Sequence, residues 1–103
     1  MYCATVLYAN QKGRTFDFKT YAEVLAPEYA RLLGDNCVRF EVRRGLMSPG
    51  APEVPFLCIA SFWVESREKF GAALSAPGMQ DLMTRISALT DAEPIRQFDE
   101  VLA

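Results

Sequence analysis

Few side chains in this sequence could move a proton. Glu23 and Asp99 offer carboxylates, and Tyr8 and Tyr21 offer phenolic hydroxyls, on a chain of 103 residues that contains no histidine. A carboxylate whose pKa is raised by burial could take an acidic proton from a small, activated organic substrate while a phenol steadies the resulting oxyanion. Without histidine there is no Ser-His-Asp or Cys-His nucleophile, no histidine-ligated zinc and no proximal histidine for haem. No glycine-rich phosphate loop follows a strand, so no nucleotide is indicated, and the expectation is neither a metal nor any other cofactor. Each candidate also has a plainer reading. Glu23 reads as a solvated helix residue, Asp99 as a solvated residue of an edge strand, and each tyrosine as a packed ring whose hydroxyl finds any partner. Trp63, Phe56 and Phe62 could line an aromatic pocket or belong simply to the core.

The elements that must carry these groups follow from the hydrophobic pattern. Residues 3–9 alternate, Ala4, Val6 and Tyr8 facing one way and Cys3, Thr5 and Leu7 the other, which predicts a strand. A polar turn, Asn10-Gln11-Lys12-Gly13, follows. Asp17 then suits a helix cap, because its carboxylate accepts from the free first-turn amides and complements the positive helix end. Phe18, Tyr21, Leu25, Tyr29 and Leu32 form a stripe at helical spacing, closed by Gly34. Pro27 interrupts this helix. It cannot donate a backbone amide, and its ring crowds the Glu23 carbonyl, so a kink is expected. That kink either turns Glu23 toward a ligand or merely wraps the helix over a sheet.

A second strand over about 37–46 sets Val38, Phe40 and Val42 against Arg39, Glu41 and Arg43, the pattern of a half-buried or edge strand. Ser48-Pro49-Gly50-Ala51-Pro52 is a loop by its turn chemistry. The third strand, about 55–64, is apolar on both faces, with Phe56, Cys58, Ala60 and Phe62 on one and Leu57, Ile59 and Trp63 on the other. Ser66 caps a helix with Phe70, Ala73 and Leu74, which Pro77 ends or restarts. Met79, Leu82, Met83, Ile86 and Leu89 continue at helical spacing, a packing stripe whose methionines would also suit an adaptable pocket. A final strand over about 94–101 carries Ile95 and Val101 among polar residues that include Gln97 and Asp99.

The order is β-α-β-β-α-β, an α+β ferredoxin-like unit with a four-stranded antiparallel sheet whose first and third strands are central. Those are the two strands with apolar residues on both faces. Helices can cover only one face of such a sheet, so the expectation is a homodimer through the other faces, forming an α/β barrel.

Composition narrows the class further. One domain, residues 1–103, accommodates this length. A net charge of −2 without a basic run argues against nucleic-acid binding, which needs concentrated positive charge. The apolar run Val54 to Val64 is about half a membrane span, so no membrane segment is expected. Met1-Tyr2-Cys3-Ala4 is unlike a signal peptide. Three cysteines in strand-like surroundings, Cys3, Cys37 and Cys58, read as buried thiols of a cytoplasmic protein.

Taken in order along the chain, Val6-Leu7-Tyr8, Phe16-Asp17-Phe18, Tyr21 and Pro27 resemble the opening strand, cap and interrupted helix of the EthD family. Leu32-Leu33-Gly34, Val38 to Val42, Arg44-Gly45, the segment Ala60 to Phe70, and Leu89-Thr90-Asp91-Ala92-Glu93-Pro94 with Gln97 extend the resemblance over nearly the whole chain. The resemblance implies a small protein of the dimeric α/β-barrel superfamily, linked to ethyl tert-butyl ether degradation beside an oxygenase system as partner and loosely associated with oxidoreductases. Relatives in that superfamily include muconolactone-type isomerases, cofactor-free quinone-forming monooxygenases and haem enzymes. Their ligand cavity commonly lies between sheet and helices near the first helix, which implies Tyr8, Tyr21, Leu25 and Trp63 as ligand-binding candidates. The family usually carries a histidine two residues before the proline; this chain has Leu25 there, apolar surface in place of a proton donor. Two readings follow. One is a binding protein for a small hydrophobic organic compound, accessory to ether or aromatic catabolism. The other is a cofactor-free oxidoreductase or isomerase using Glu23 or Asp99. A purely structural dimer with a filled core stands beside both.

Overall fold

Strand β1 (Tyr2–Ala9) lies second from one edge of the sheet, with side chains of two characters on its two faces. The computed structural model describes residues 1–11, 15–50 and 53–103; Lys12 and Gly13 of the polar turn and Ala51 and Pro52 of the later loop lie outside them. After β1 the chain forms α1 (Phe18–Thr20), a π-helical turn (Tyr21–Leu25) and α2 (Ala26–Leu33), all with helical backbone angles where they join. A 3-10 turn leads to β2 (Cys37–Arg44), then β3 (Phe56–Val64), α3 (Arg67–Ala73), α4 (Met79–Leu89) and β4 (Pro94–Glu100). The sheet order is β2-β3-β1-β4 with every neighbour antiparallel, the ferredoxin-like arrangement that places the first and third strands centrally.

The punctuation works as the residue types require. Asp17 accepts from the Thr20 amide at 3.1 Å, and Ser66 accepts from the Lys69 amide at 3.1 Å, each satisfying a free first-turn donor. Gly34 ends α2 at φ 69°, a left-handed backbone that suits glycine. Gly45 is needed for another reason: a Cβ there would sit 2.2 Å from the Phe56 carbonyl oxygen. Pro77 separates α3 from α4, so the second helical region is two helices.

The expected kink at Pro27 takes a specific form. The missing amide leaves the Glu23 carbonyl without its usual partner, and the helix answers by widening. The Ala26 amide reaches back to the Tyr21 carbonyl, the longer span of a π turn, and the helix then continues through Pro27.

The register sorts side chains into two faces. Toward the helices run the rows Phe40-Phe62-Ala4-Phe98, Val42-Ala60-Val6-Arg96 and Arg44-Cys58-Tyr8-Pro94. Tyr8, Phe62, Val64 and Cys58 are almost wholly buried here with Leu82 of α4, each large apolar side chain contributing roughly 1.5–3 kcal/mol by leaving water. The opposite face carries Arg39-Trp63-Cys3-Asp99, Glu41-Ser61-Thr5-Gln97 and Arg43-Ile59-Leu7-Ile95. No helix covers it. Its partial cover comes from β2, where Arg39 lies over the Trp63 ring at 3.9 Å and Arg43 donates to Ser61 Oγ at 3.2 Å. Cys3 and Cys58 are buried thiols on opposite faces, and Cys37 is half-buried. Among the described residues no helix is long and apolar enough to cross a membrane.

Candidate functional site

The space between helices and sheet has two compartments, and the size of the β1 side chain beneath each accounts for the difference. Beneath the π turn the floor is Tyr8. Its ring meets Phe16 at 4.8 Å and Tyr21 edge-on at 5.5 Å, and its hydroxyl donates to the Tyr21 hydroxyl at 3.4 Å. Leu25, Ala26 and Ile86 close over this group and leave a void of about 10 Å³, at most the room of one water.

Toward the other end of β1 the floor drops to Ala4. The two phenylalanines flanking it are drawn sideways into separate stacks: Phe62 against Phe40 at 5.7 Å and Tyr29 at 4.6 Å, Phe98 against Tyr2 at 5.5 Å and Phe70 at 5.0 Å. Overhead, α3 is short and none of its residues is buried. The result is a cleft of about 480 Å³ between β1, β4, α3 and α4, within the range of small-molecule sites. Phe70, Leu74, Met79, Met83 and Phe98 supply its apolar walls, and Tyr29 and Arg96 its polar groups. Val6, Tyr29, Met83 and Arg96 border both compartments, so the two are adjacent.

Electrostatics fix what the polar groups can do. Burial pushes the Tyr8 phenol above its ordinary value and the Tyr21 phenol far above it, the nearby Tyr8 adding to the latter. Burial raises Tyr29 to about 12, against the pull of the Arg96 charge. All three are neutral at physiological pH and act as hydrogen-bond donors or acceptors, not as bases. The Cys58 thiol, raised to about 11 by burial, is likewise protonated. Arg96 donates to Met83 Sδ at 3.4 Å, and among the described residues no carboxylate lies within ion-pair distance of it.

Three of the residues expected at a site therefore meet: Tyr8, Tyr21 and Leu25 line the closed compartment. Trp63 does not join them. Its position in β3, opposite Cys3 and Arg39, puts it on the helix-free face. Asp99 shares that face and accepts from Gln97 Nε2 at 2.8 Å. Glu23 is exposed on the π turn and borders neither compartment. Among the described residues no three histidine, cysteine or acidic groups cluster to hold a metal. Arg96 is the site residue that sequence reasoning passed over. The signal was its parity with Phe98, which places a cation on the face of β4 that packs inward.

No family model matches the sequence, and no curated protein matches it. Solved structures do. An EthD-like protein from Ralstonia eutropha is similar with a TM-score of 0.89 and 27% identity, over 99% of this chain and 92% of that one. An ethyl tert-butyl ether (EthD) family protein from Bacillus halodurans gives 0.74 at 16% identity, over 99% of both chains. SnoaB, a cofactor-independent oxygenase from Streptomyces nogalater, shares the fold at 0.56 and 14% identity, over 99% of this chain and 92% of that one.

Proposed function

We propose that this chain, which has the EthD-like fold of the dimeric α/β-barrel superfamily, works as a homodimer that binds a small hydrophobic organic compound in each helix–sheet cleft. The cleft of about 480 Å³ carries this reading, since a purely structural core would be packed solid. The role that fits is accessory: holding or delivering a compound in ether or aromatic catabolism, beside an oxygenase system. Dimerisation is supported by the helix-free face, where Thr5, Leu7, Ile59 and Trp63 remain partly open to solvent on the two central strands. Arg39 and Arg43, with Glu41 between them, leave one edge of that face net basic and Asp99 lies along the other, so a two-fold axis can bring opposite charges together.

Isothermal calorimetry with 1-naphthalenemethanol, a neutral bicyclic probe, tests the binding reading. Saturable uptake near one molecule per chain is expected, together with a dimer by light scattering at micromolar concentration. Leu74→Trp, at an exposed position on the cleft wall, should weaken uptake at least about tenfold by filling the space, and leave folding intact. Absence of uptake of any bicyclic probe of this size, or uptake indifferent to Leu74→Trp, removes the reading.

A second reading, a cofactor-free oxidoreductase or isomerase, draws on the neutral phenols of Tyr8, Tyr21 and Tyr29 as donors to an oxyanion. What weighs toward binding is the position of the two carboxylates, both outside the cleft. Turnover of quinols or lactones that is lost in Glu23→Gln or Asp99→Asn would reverse that preference.

A further inference from the structure

Arg96 is the one cation that lines the apolar cleft, and among the described residues no carboxylate lies within ion-pair distance of it. Arg31, Arg39, Arg43 and Arg85 each pair with a carboxylate, whereas Arg44 and Arg67 lie over aromatic rings on the periphery. Arg96 alone faces the cleft, with only the weak acceptor Met83 Sδ beside it. Across the same space stands Tyr29, a buried residue whose hydroxyl has no hydrogen-bond partner among the described residues and remains open to the cleft. Two polar groups without strong protein partners, on either side of a mostly apolar cleft, are complementary to an oxygen anion. A guanidinium offers such an anion two parallel donors.

Resting on the binding reading above, we infer that the ligand is an amphiphilic monoanion. Its compact hydrocarbon body lies among Phe70, Met79, Met83 and Phe98, and its one carboxylate or ionised enol oxygen is held by the Arg96 guanidinium and the Tyr29 hydroxyl. This anion recognition supplies orientation as well as affinity: the charged end is turned toward the closed compartment of Tyr8 and Tyr21, and the hydrocarbon end toward α3. Arg96 is thus the specificity-determining residue of the cleft.

The test compares 1-naphthoate and the ionised enol 2-hydroxy-1,4-naphthoquinone with neutral 1-naphthalenemethanol by calorimetry on the intact protein. At least one anion should bind about tenfold to a hundredfold more tightly than the alcohol. Arg96→Gln should abolish that preference, weakening the anions at least about tenfold more than the alcohol, and Arg96→Lys should retain part of it. Because Arg96 is exposed on an edge strand, both variants are expected to fold, which circular dichroism checks. Equal affinity for anions and alcohol, or a preference that survives Arg96→Gln, overturns the inference and leaves the binding reading standing. Failure of all three probes to bind overturns both.

Discussion

The two ends of the helix–sheet space share one floor, strand β1, yet one is filled and the other is open. Under the π turn, Tyr8 fills its share and three aromatic rings lock together. Under α3 and α4, Ala4 leaves its share empty and the neighbouring phenylalanines stack away from it. Leu25 belongs to the filled end. Apolar surface is closed around Leu25, and the open space lies nearer the far helices.

Substitutions sharpen the contrast. The largest effect belongs to Leu25→Ala, which empties part of the packed end and should cost about 2–5 kcal/mol in urea unfolding. Its counterpart Leu74→Ala, on the open wall, should cost under about 0.5 kcal/mol. Similar costs at both positions would erase the distinction.

Next in size is the alkaline response. Unfolded tyrosines ionise near pH 10, whereas Tyr29 in the fold keeps its proton to about 12 and Tyr8 and Tyr21 are raised as well. The native state therefore binds more protons in that interval. The stabilisation is complete below pH 10 and is lost as pH rises through about 12. Urea midpoints should fall over this window. Tyr29→Phe should flatten the fall by about 1–3 kcal/mol, at about 1.4 kcal/mol per unit of pKa difference. An unchanged slope would mean that Tyr29 is not held neutral by burial.

The smallest and most discriminating comparison uses one substitution at two alanines. Ala60→Leu, in the solid part of the core, should destabilise by about 1–3 kcal/mol through overpacking. Ala4→Leu should cost under about 1 kcal/mol, because its added methyls enter the cleft, and it should weaken ligand uptake. Equal penalties would show that the cleft cannot accept extra volume.

Much of the frame is legible in the residues. Alternation marked the strands, the apolar character of both faces of β1 and β3 marked them as central, and Asp17, Ser66 and Gly34 marked helix ends. The site was legible only in part. Tyr8, Tyr21 and Leu25 sit on correctly read faces, and they do meet. Trp63 was grouped with them although its parity matches Leu57 and Ile59; only the pairing of β3 with β1 shows that Tyr8 lies opposite Cys58, on the other side. Arg96 was missed because β4 is mostly polar on both faces, so its inward side emerges only when Phe98 is seen against Phe70. Pro27 announced a disturbed helix, but a kink, a break and a π turn all answer the same missing amide, and packing against the sheet selects among them.

What the sequence determined by itself is the set of local conformations and the surfaces each would hide, because backbone sterics, capping and two-residue or 3.6-residue periods act within a few neighbours. Where empty space remains was decided only by the tertiary structure. A cavity is a difference between side chains that come from five distant segments, β1, α2, α3, α4 and β4. No local pattern reports a volume that no residue occupies.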